Sequence, residues 1–84
     1  MKITSLNNDL VKETAKLLQK KYRDESGLFL IEGEKGVKEA QEFNIPLEKI
    51  FWSGKFPDYI LDKSLLIEVN DAVLGKISDA KTPP

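Results

Sequence analysis

The residues best suited to chemistry are basic side chains near the start of the chain, spaced to fall on one side of a helix. Asn7, Asn8 and Asp9 favour a helix N-terminus, because their short side chains accept hydrogen bonds from free backbone N–H groups. From there to about Lys21 the apolar residues recur at helical spacing. The opposite side, at the same spacing, holds four basic residues, Lys12, Lys16, Lys20 and Arg23. Such a row of cations is suited to neutralising the phosphates of a polyanion.

Charge is divided unevenly along the chain, although its net value is only −1. Residues 1–23 hold six basic and two acidic side chains, a net charge of +4, and the rest hold seven basic and twelve acidic, a net charge of −5. This asymmetry indicates a polyanion or an acidic partner at the amino-terminal end. Lysine rows also occur on helices that simply face solvent, but here Asp9 and Glu13 can compensate the charge only at the beginning of the row.

Arg23, the only arginine, and Glu32 flank the apolar run Leu28–Ile31. A carboxylate directly after a buried strand is expected to be partly buried and to need a partner. The planar guanidinium of Arg23 can pair with Glu32 or with a phosphate, and the two roles are compatible. Beside Arg23, Tyr22 is the aromatic residue placed to stack on a base, and Gly33 permits a tight turn after Glu32.

The sequence contains no cysteine and no histidine, which excludes several kinds of site. Disulfides, thiolate metal sites and cysteine nucleophiles are excluded, and the commonest general base and metal ligand are missing. No acidic pair has the spacing of a calcium-binding loop, and Asp24 with Glu25 and Asp58 with Asp62 are expected to be solvated surface charges. We therefore expect no catalytic residue, no bound cofactor and no metal in this chain.

The length of 84 residues suits one small domain. No apolar run approaches the ~20 residues needed to cross a membrane. Met1 and Lys2 lead into polar residues rather than a secretory signal. A cytoplasmic location is therefore expected.

Helical and strand patterns alternate along the chain, which predicts an α/β fold. After the first helix, residues 23–27 are predicted to form a turn and Leu28–Ile31 a strand covered on both faces. The remaining predicted elements are a helix over 35–43, a strand over 49–53, a helical turn over 58–61, a strand over 65–69 and a helix over 72–77. This order favours a small three-layer α/β/α sandwich. We expect residues 1–78 to form the domain and the polar segment 79–84, which ends in two prolines, to begin a linker.

Three stretches of the sequence resemble the opening of the SpoU/TrmH-type RNA 2′-O-ribose methyltransferases. They are ITSLNNDLVK at 3–12, LLQKKYR at 17–23 and GLFLIEG at 27–33. Residues 37–40 and the closing SDAKTP at 78–83 extend the likeness over essentially the whole chain. In that family this region forms the amino-terminal substrate-binding domain.

The resemblance implies a fold similar to that of the kink-turn-binding ribosomal proteins. It also implies that the complete protein is an S-adenosylmethionine-dependent methyltransferase, usually dimeric, which acts on ribosomal or sometimes transfer RNA. The cofactor site, the catalytic residues and the dimer interface would belong to a second, catalytic domain after the linker. Seven residues occupy matching positions of the family and carry its RNA recognition by resemblance: Asn8, Lys12, Lys20, Lys21, Arg23, Glu32 and Gly33.

The sequence is therefore interpreted as a non-catalytic RNA-binding domain that serves a methyltransferase. The candidate RNA-binding residues are Asn8, Lys12, Lys16, Lys20, Lys21, Tyr22, Arg23, Glu32 and Gly33. In the alternative interpretation the basic helix docks on an acidic protein surface, such as the catalytic domain itself. A small enzyme acting on its own is the weakest interpretation, because neither histidine nor cysteine is available.

Overall fold

A three-stranded parallel sheet forms the centre of the computed structural model, which describes residues 2–78. The strands are β1 (Lys2–Ile3), β2 (Ile50–Trp52) and β3 (Leu66–Val69), and their order in the sheet is β1-β3-β2. β3 is central, with Ile3 opposite Val69 on one side and Ile50 opposite Leu66 on the other. The expected α/β class is confirmed.

Within residues 2–78, four α-helices and one short 3-10 helix connect and flank the strands. They are α1 (Asp9–Lys16), α2 (Lys20–Ser26), α3 (Glu34–Glu42), the 3-10 helix Lys63–Leu65 and α4 (Asp71–Lys76). The side chain of Asn8 caps α1, as predicted, and that of Asn70 caps α4 by accepting from the N–H of Val73. None of the helices within residues 2–78 is long and apolar enough to span a membrane.

One face of the sheet packs against α1 and α4 and forms the main core. Successive residues of a strand point to opposite faces. Ile67 and Val69 of β3 therefore share a face with Phe51 of β2. The buried members of this core are Val11, Val69, Val73 and Ile77, and the partly buried residues around them are Ile3, Ala15, Phe51, Ile67 and Leu74. α1, which is capped by Asn8 and carries Lys12 and Lys16, is thus fixed to the sheet through Val11.

α3 is held by contacts with two other segments. The side chain of Gln41 donates to the carbonyl of Tyr59 at 3.2 Å and accepts from the N–H of Leu61 at 2.9 Å. At Gly36 a Cβ atom would lie 2.7 Å from Cγ2 of Ile31, so this position requires glycine for the close approach of the two segments. α3, Ile31 and the loop before β3 are therefore packed together.

The helix predicted to run to about Lys21 is wrong in its extent, because it ends at Lys16 and a second helix follows. Leu17, Leu18 and Gln19 donate to carbonyls three residues back, and the backbone of Gln19 is extended with φ −104° and ψ 133°. The predicted turn over 23–27 is also wrong, because α2 continues to Ser26 and ends at Gly27, whose φ is +73°. The basic residues therefore lie on two helices rather than in one row.

The strand predicted at Leu28–Ile31 is absent from the described sheet. Phe29 is 62% exposed and Leu28 39%, although both were expected to be buried. β1 and β2 are the edge strands of the described sheet, and Leu28–Ile31 pairs with neither of them. At the helical turn predicted for 58–61 the structure has a turn at residues 58–59, and a 3-10 helix forms only at Lys63–Leu65. The linker predicted at 79–84 lies outside the described residues.

Candidate functional site

Four lysines at the junction of α1 and α2 form what we call the basic surface: Lys12, Lys16, Lys20 and Lys21. Three of them are exposed, and the side chain of Lys16 keeps 43% of its surface accessible. Lys12 and Lys16 lie on α1, which is fixed by its N-terminal cap and by the packing of Val11. Lys20 and Lys21 lie on α2, whose direction is set by the turn at 17–19. The predicted lysines are therefore accessible on adjoining helices.

Two lysines of the basic surface form exposed ion pairs. Nζ of Lys16 lies 2.9 Å from Oε1 of Glu13, and Nζ of Lys20 lies 2.7 Å from Oδ2 of Asp24. The hydrogen bond to Glu13 and its charge raise the pKa of Lys16 above the ordinary lysine value. The expectation that acidic residues compensate only the beginning of the row is wrong, because Asp24 pairs with Lys20. Exposed pairs of this kind contribute little to stability, so a phosphate can replace the carboxylate.

Tyr22 connects the two halves of the basic surface. Its ring centroid lies 5.5 Å from Nζ of Lys16 and 5.4 Å from Nζ of Lys21. These are cation–π distances, and they join α1 to α2 through side chains. The structure thus brings the predicted stacking residue together with two of the predicted phosphate-binding lysines.

Arg23 turns away from this surface and supports the end of α1. Its Nη1 donates to the carbonyl of Leu17 at 2.9 Å in a partly buried position. This bond satisfies one of the carbonyls that a helix end leaves without an intrahelical partner. Arg23 also lines an open cavity of about 320 Å³ together with Leu17, Leu18, Phe29, Leu30 and Glu32. Its first role in the fold is therefore structural.

Pairing with Glu32, one of the two roles considered for Arg23, does not occur within residues 2–78. Glu32 is exposed rather than partly buried, because the segment before it is not part of the sheet. Its Oε1 accepts a hydrogen bond from Oγ of Ser78. Arg23 and Glu32 nevertheless line the same cavity, so the structure brings them near each other without pairing them.

Asn8 and Gly33 have clear local roles in the fold. Oδ1 of Asn8 accepts from the N–H groups of Leu10 and Val11, which caps α1. Gly33 precedes α3 with φ +87° and ψ 155°, a conformation that L-residues rarely adopt. A contact of either residue with RNA stays a prediction.

Sequence reasoning missed two other aromatic residues that lie close to lysines. Nζ of Lys38 lies 4.9 Å from the ring centroid of Tyr59, and Nζ of Lys63 lies 5.9 Å from that of Phe56. The first pair is 21 positions apart in the sequence, so only the packing of α3 on the loop could have revealed it. Among the described residues no group of three acidic side chains is arranged to hold a metal ion.

The fold and the basic surface together define a small α/β binding domain. Residues 8–84 match the family described as the MRM3-like substrate binding domain, and the chain belongs to that family. It is also similar to a crystal structure of an RNA 2′-O ribose methyltransferase, with a TM-score of 0.80 and 37% sequence identity. That match covers 99% of this chain and 34% of the methyltransferase, so the chain spans about a third of its length.

None of the curated proteins compared with the chain matches it. The family match and the structural match agree with each other. They confirm the resemblance to the amino-terminal substrate-binding domain of SpoU-like RNA methyltransferases.

Proposed function

We propose that this chain binds RNA for an S-adenosylmethionine-dependent RNA 2′-O-ribose methyltransferase and presents it to a catalytic domain. The observation that carries the proposal is the basic surface, with Tyr22 between two of its lysines. Ribosomal RNA is the expected substrate and transfer RNA the second choice. A homodimer formed through the catalytic domain and a cytoplasmic location belong to the same proposal.

The basic surface would bind the RNA backbone rather than a particular base. Lysine ammonium groups act as point charges on phosphates, so their contribution is independent of sequence and sensitive to salt. Arg23 and the turn at Glu32 and Gly33 would add a preference for RNA shape, because Arg23 and Glu32 line the same open cavity. The lysines would thus supply affinity and the cavity selectivity.

Two cavities within residues 2–78 do not suit S-adenosylmethionine. One cavity is open and carries the charges of Arg23 and Glu32, and the other is a surface depression lined by Glu34, Lys35, Lys38 and Glu39. An adenosyl group is held in an enclosed, largely apolar pocket. We therefore assign the cofactor to the proposed catalytic domain, together with methyl transfer.

The proposal is tested by reversing charge on the basic surface and at matched positions elsewhere. Lys12→Glu with Lys20→Glu changes two exposed lysines of the basic surface, and Lys35→Glu with Lys49→Glu changes two exposed lysines outside it. Both double variants alter the net charge equally. Binding of a ribosomal RNA fragment is measured at low salt by fluorescence anisotropy, and circular dichroism checks that each variant is folded.

Loss of RNA affinity in the first variant and near-unchanged affinity in the second are expected. Equal affinity of both variants would contradict the proposal. In that case the alternative applies, that the basic surface docks on an acidic protein surface. The alternative predicts that Lys12→Glu with Lys20→Glu weakens association with the catalytic domain instead.

A further inference from the structure

The ring of Phe56 is held at the surface between an aromatic and a cationic neighbour. It is 48% exposed, although it belongs to the most apolar residue types. Its centroid lies 5.5 Å from that of Trp52 at an interplanar angle of 82°, an edge-to-face contact. On the ring lies Nζ of Lys63, 5.9 Å from the centroid. An exposed ring beside an ammonium is the combination that single-stranded nucleic acids use for stacking and phosphate contact.

The exposure of Phe56 is fixed by the residues around it. Gly54 lies in a bend after β2 with φ +82°, which only glycine adopts readily. Pro57 directly after the ring is buried, and Ile60 is buried as well. The paired strand β2 before the bend and the buried Pro57 and Ile60 after the ring therefore fix the chain around Phe56, so that ordering it for a ligand costs little conformational entropy.

Phe56 lies apart from the basic surface. Trp52 is opposite Glu68 in the sheet, and it therefore points to the face opposite to that of Phe51 and Val69. α1 packs on the face that carries Phe51 and Val69. The ring in contact with Trp52 thus belongs to a second surface, whose contribution to binding can be measured separately.

The segment that carries Phe56 has no net charge, unlike the basic surface. The segment 53–65 contains two lysines, Lys55 and Lys63, and two aspartates, Asp58 and Asp62. Asp62 accepts hydrogen bonds from the N–H and the hydroxyl of Ser64, and these bonds keep its pKa low and its charge present. Attraction by charge is therefore weak here, and a ligand must gain its affinity from the ring.

We propose that Phe56 is a stacking platform for an unpaired base of the bound RNA, with Lys63 at the adjoining phosphate. This inference rests on the proposed function, since it names the single-stranded part of the same substrate. The exposure of an aromatic ring would not by itself support this inference. Phe43 is 69% exposed, yet no lysine lies over its ring within residues 2–78.

The experiment compares two leucine variants of the 84-residue chain. Phe56→Leu keeps an apolar contact with Trp52 but removes the stacking ring, Phe56→Trp restores a ring, and Phe43→Leu is the matched control. The probes are a single-stranded RNA of about 12 nucleotides with one 2-aminopurine, and a fully paired RNA duplex of the same length. Affinity and 2-aminopurine quenching are measured at about 50 and 200 mM salt.

We expect Phe56→Leu to weaken single-strand binding roughly tenfold at both salt concentrations and to abolish the quenching. Duplex binding should stay unchanged, Phe56→Trp should restore the quenching, and Phe43→Leu should behave as the parent chain.

Full affinity and quenching in Phe56→Leu, while Lys12→Glu with Lys20→Glu loses binding, would overturn this inference and leave the proposed function intact. Unchanged RNA affinity with an altered sedimentation coefficient would assign the ring to a protein contact and overturn it too. Absence of any RNA binding by the parent chain at low salt would overturn both.

Discussion

Replacing Asn8 with alanine separates the structural from the RNA-binding role of a predicted site residue. Oδ1 of Asn8 accepts from the N–H of Leu10 at 2.9 Å and of Val11 at 3.3 Å. Asn8→Ala leaves both N–H groups without this acceptor, which costs about 1 kcal/mol for a helix cap. For a domain of this size that loss corresponds to a fall in the melting temperature of about 5 °C.

Thermal and urea denaturation followed by circular dichroism measure the effect of this change. Asn7→Ala is the matched control, because the Asn7 side chain is exposed and makes no hydrogen bond within the described part of the chain. Asn8→Ser should recover most of the stability, since a serine hydroxyl also caps a helix. Equal stability of Asn8→Ala and Asn7→Ala would refute the assignment of the cap.

RNA binding by the serine variant then decides the second role of Asn8. If Asn8 acts only as a cap, Asn8→Ser binds RNA as the parent chain does. A loss of affinity in a stable Asn8→Ser variant would show that the amide group itself contacts RNA. The capping interpretation predicts unchanged affinity.

Three further substitutions test the packing, the backbone and the ionisation of the fold. Val73 is fully buried, so Val73→Ala should lower the free energy of unfolding by roughly 2 kcal/mol in urea denaturation, and an unchanged value would contradict the described core. A Cβ atom at Gly75 in α4 would contact nothing, so Gly75→Ala should stabilise the chain by about 0.5–1 kcal/mol. Gly33→Ala should destabilise the chain, because the backbone at Gly33 has φ +87°. Effects of the opposite sign in thermal melts would refute the backbone assignment. The hydrogen bonds from Ser64 lower the pKa of Asp62 in the folded state, so their stabilising effect is present at neutral pH and is lost as the pH falls through that lowered pKa. Asp62→Asn should therefore be less stable than the parent chain at pH 6 and equally stable at the acid end of the pH range. A difference in stability that does not change with pH would contradict the assignment.

Elements with strong local signals were predictable from the sequence. Asn70 predicts the start of α4, and Asn44 with Pro46 predicts the end of α3, because each signal acts within a few residues. The apolar triplet at 50–52 likewise predicts β2. These elements match the structure to within about two residues of the expected bounds.

Features that depend on distant partners were not predictable. β1 is two residues long and exists only because Lys2 and Ile3 pair with β3, which lies over 60 residues later. The run Leu28–Ile31 has the composition of a strand, but it pairs with neither edge strand of the described sheet, because strand formation depends on the tertiary surroundings as well as on composition. The composition of a segment therefore indicates its propensity to form a strand, whereas its pairing in the sheet depends on contacts with distant segments.

The candidate site was predictable in its residue types but not in its geometry. Lys12, Lys16 and Lys20 are accessible, as their spacing suggested, yet the break at 17–19 separates them onto two helices. The contact of Arg23 with the Leu17 carbonyl depends on that break. The pattern of a continuous helix could not reveal it.

The salt dependence of RNA binding by the 84-residue chain tests the central claim most directly. Four lysine–phosphate contacts on single-stranded RNA predict that the logarithm of the binding constant falls with the logarithm of the salt concentration with a slope of about −3. Lys12→Glu with Lys20→Glu should reduce the slope to about −1.5 or less, because two contacts are lost. A slope near zero for the parent chain, or the same slope in both proteins, would contradict RNA binding by the basic surface.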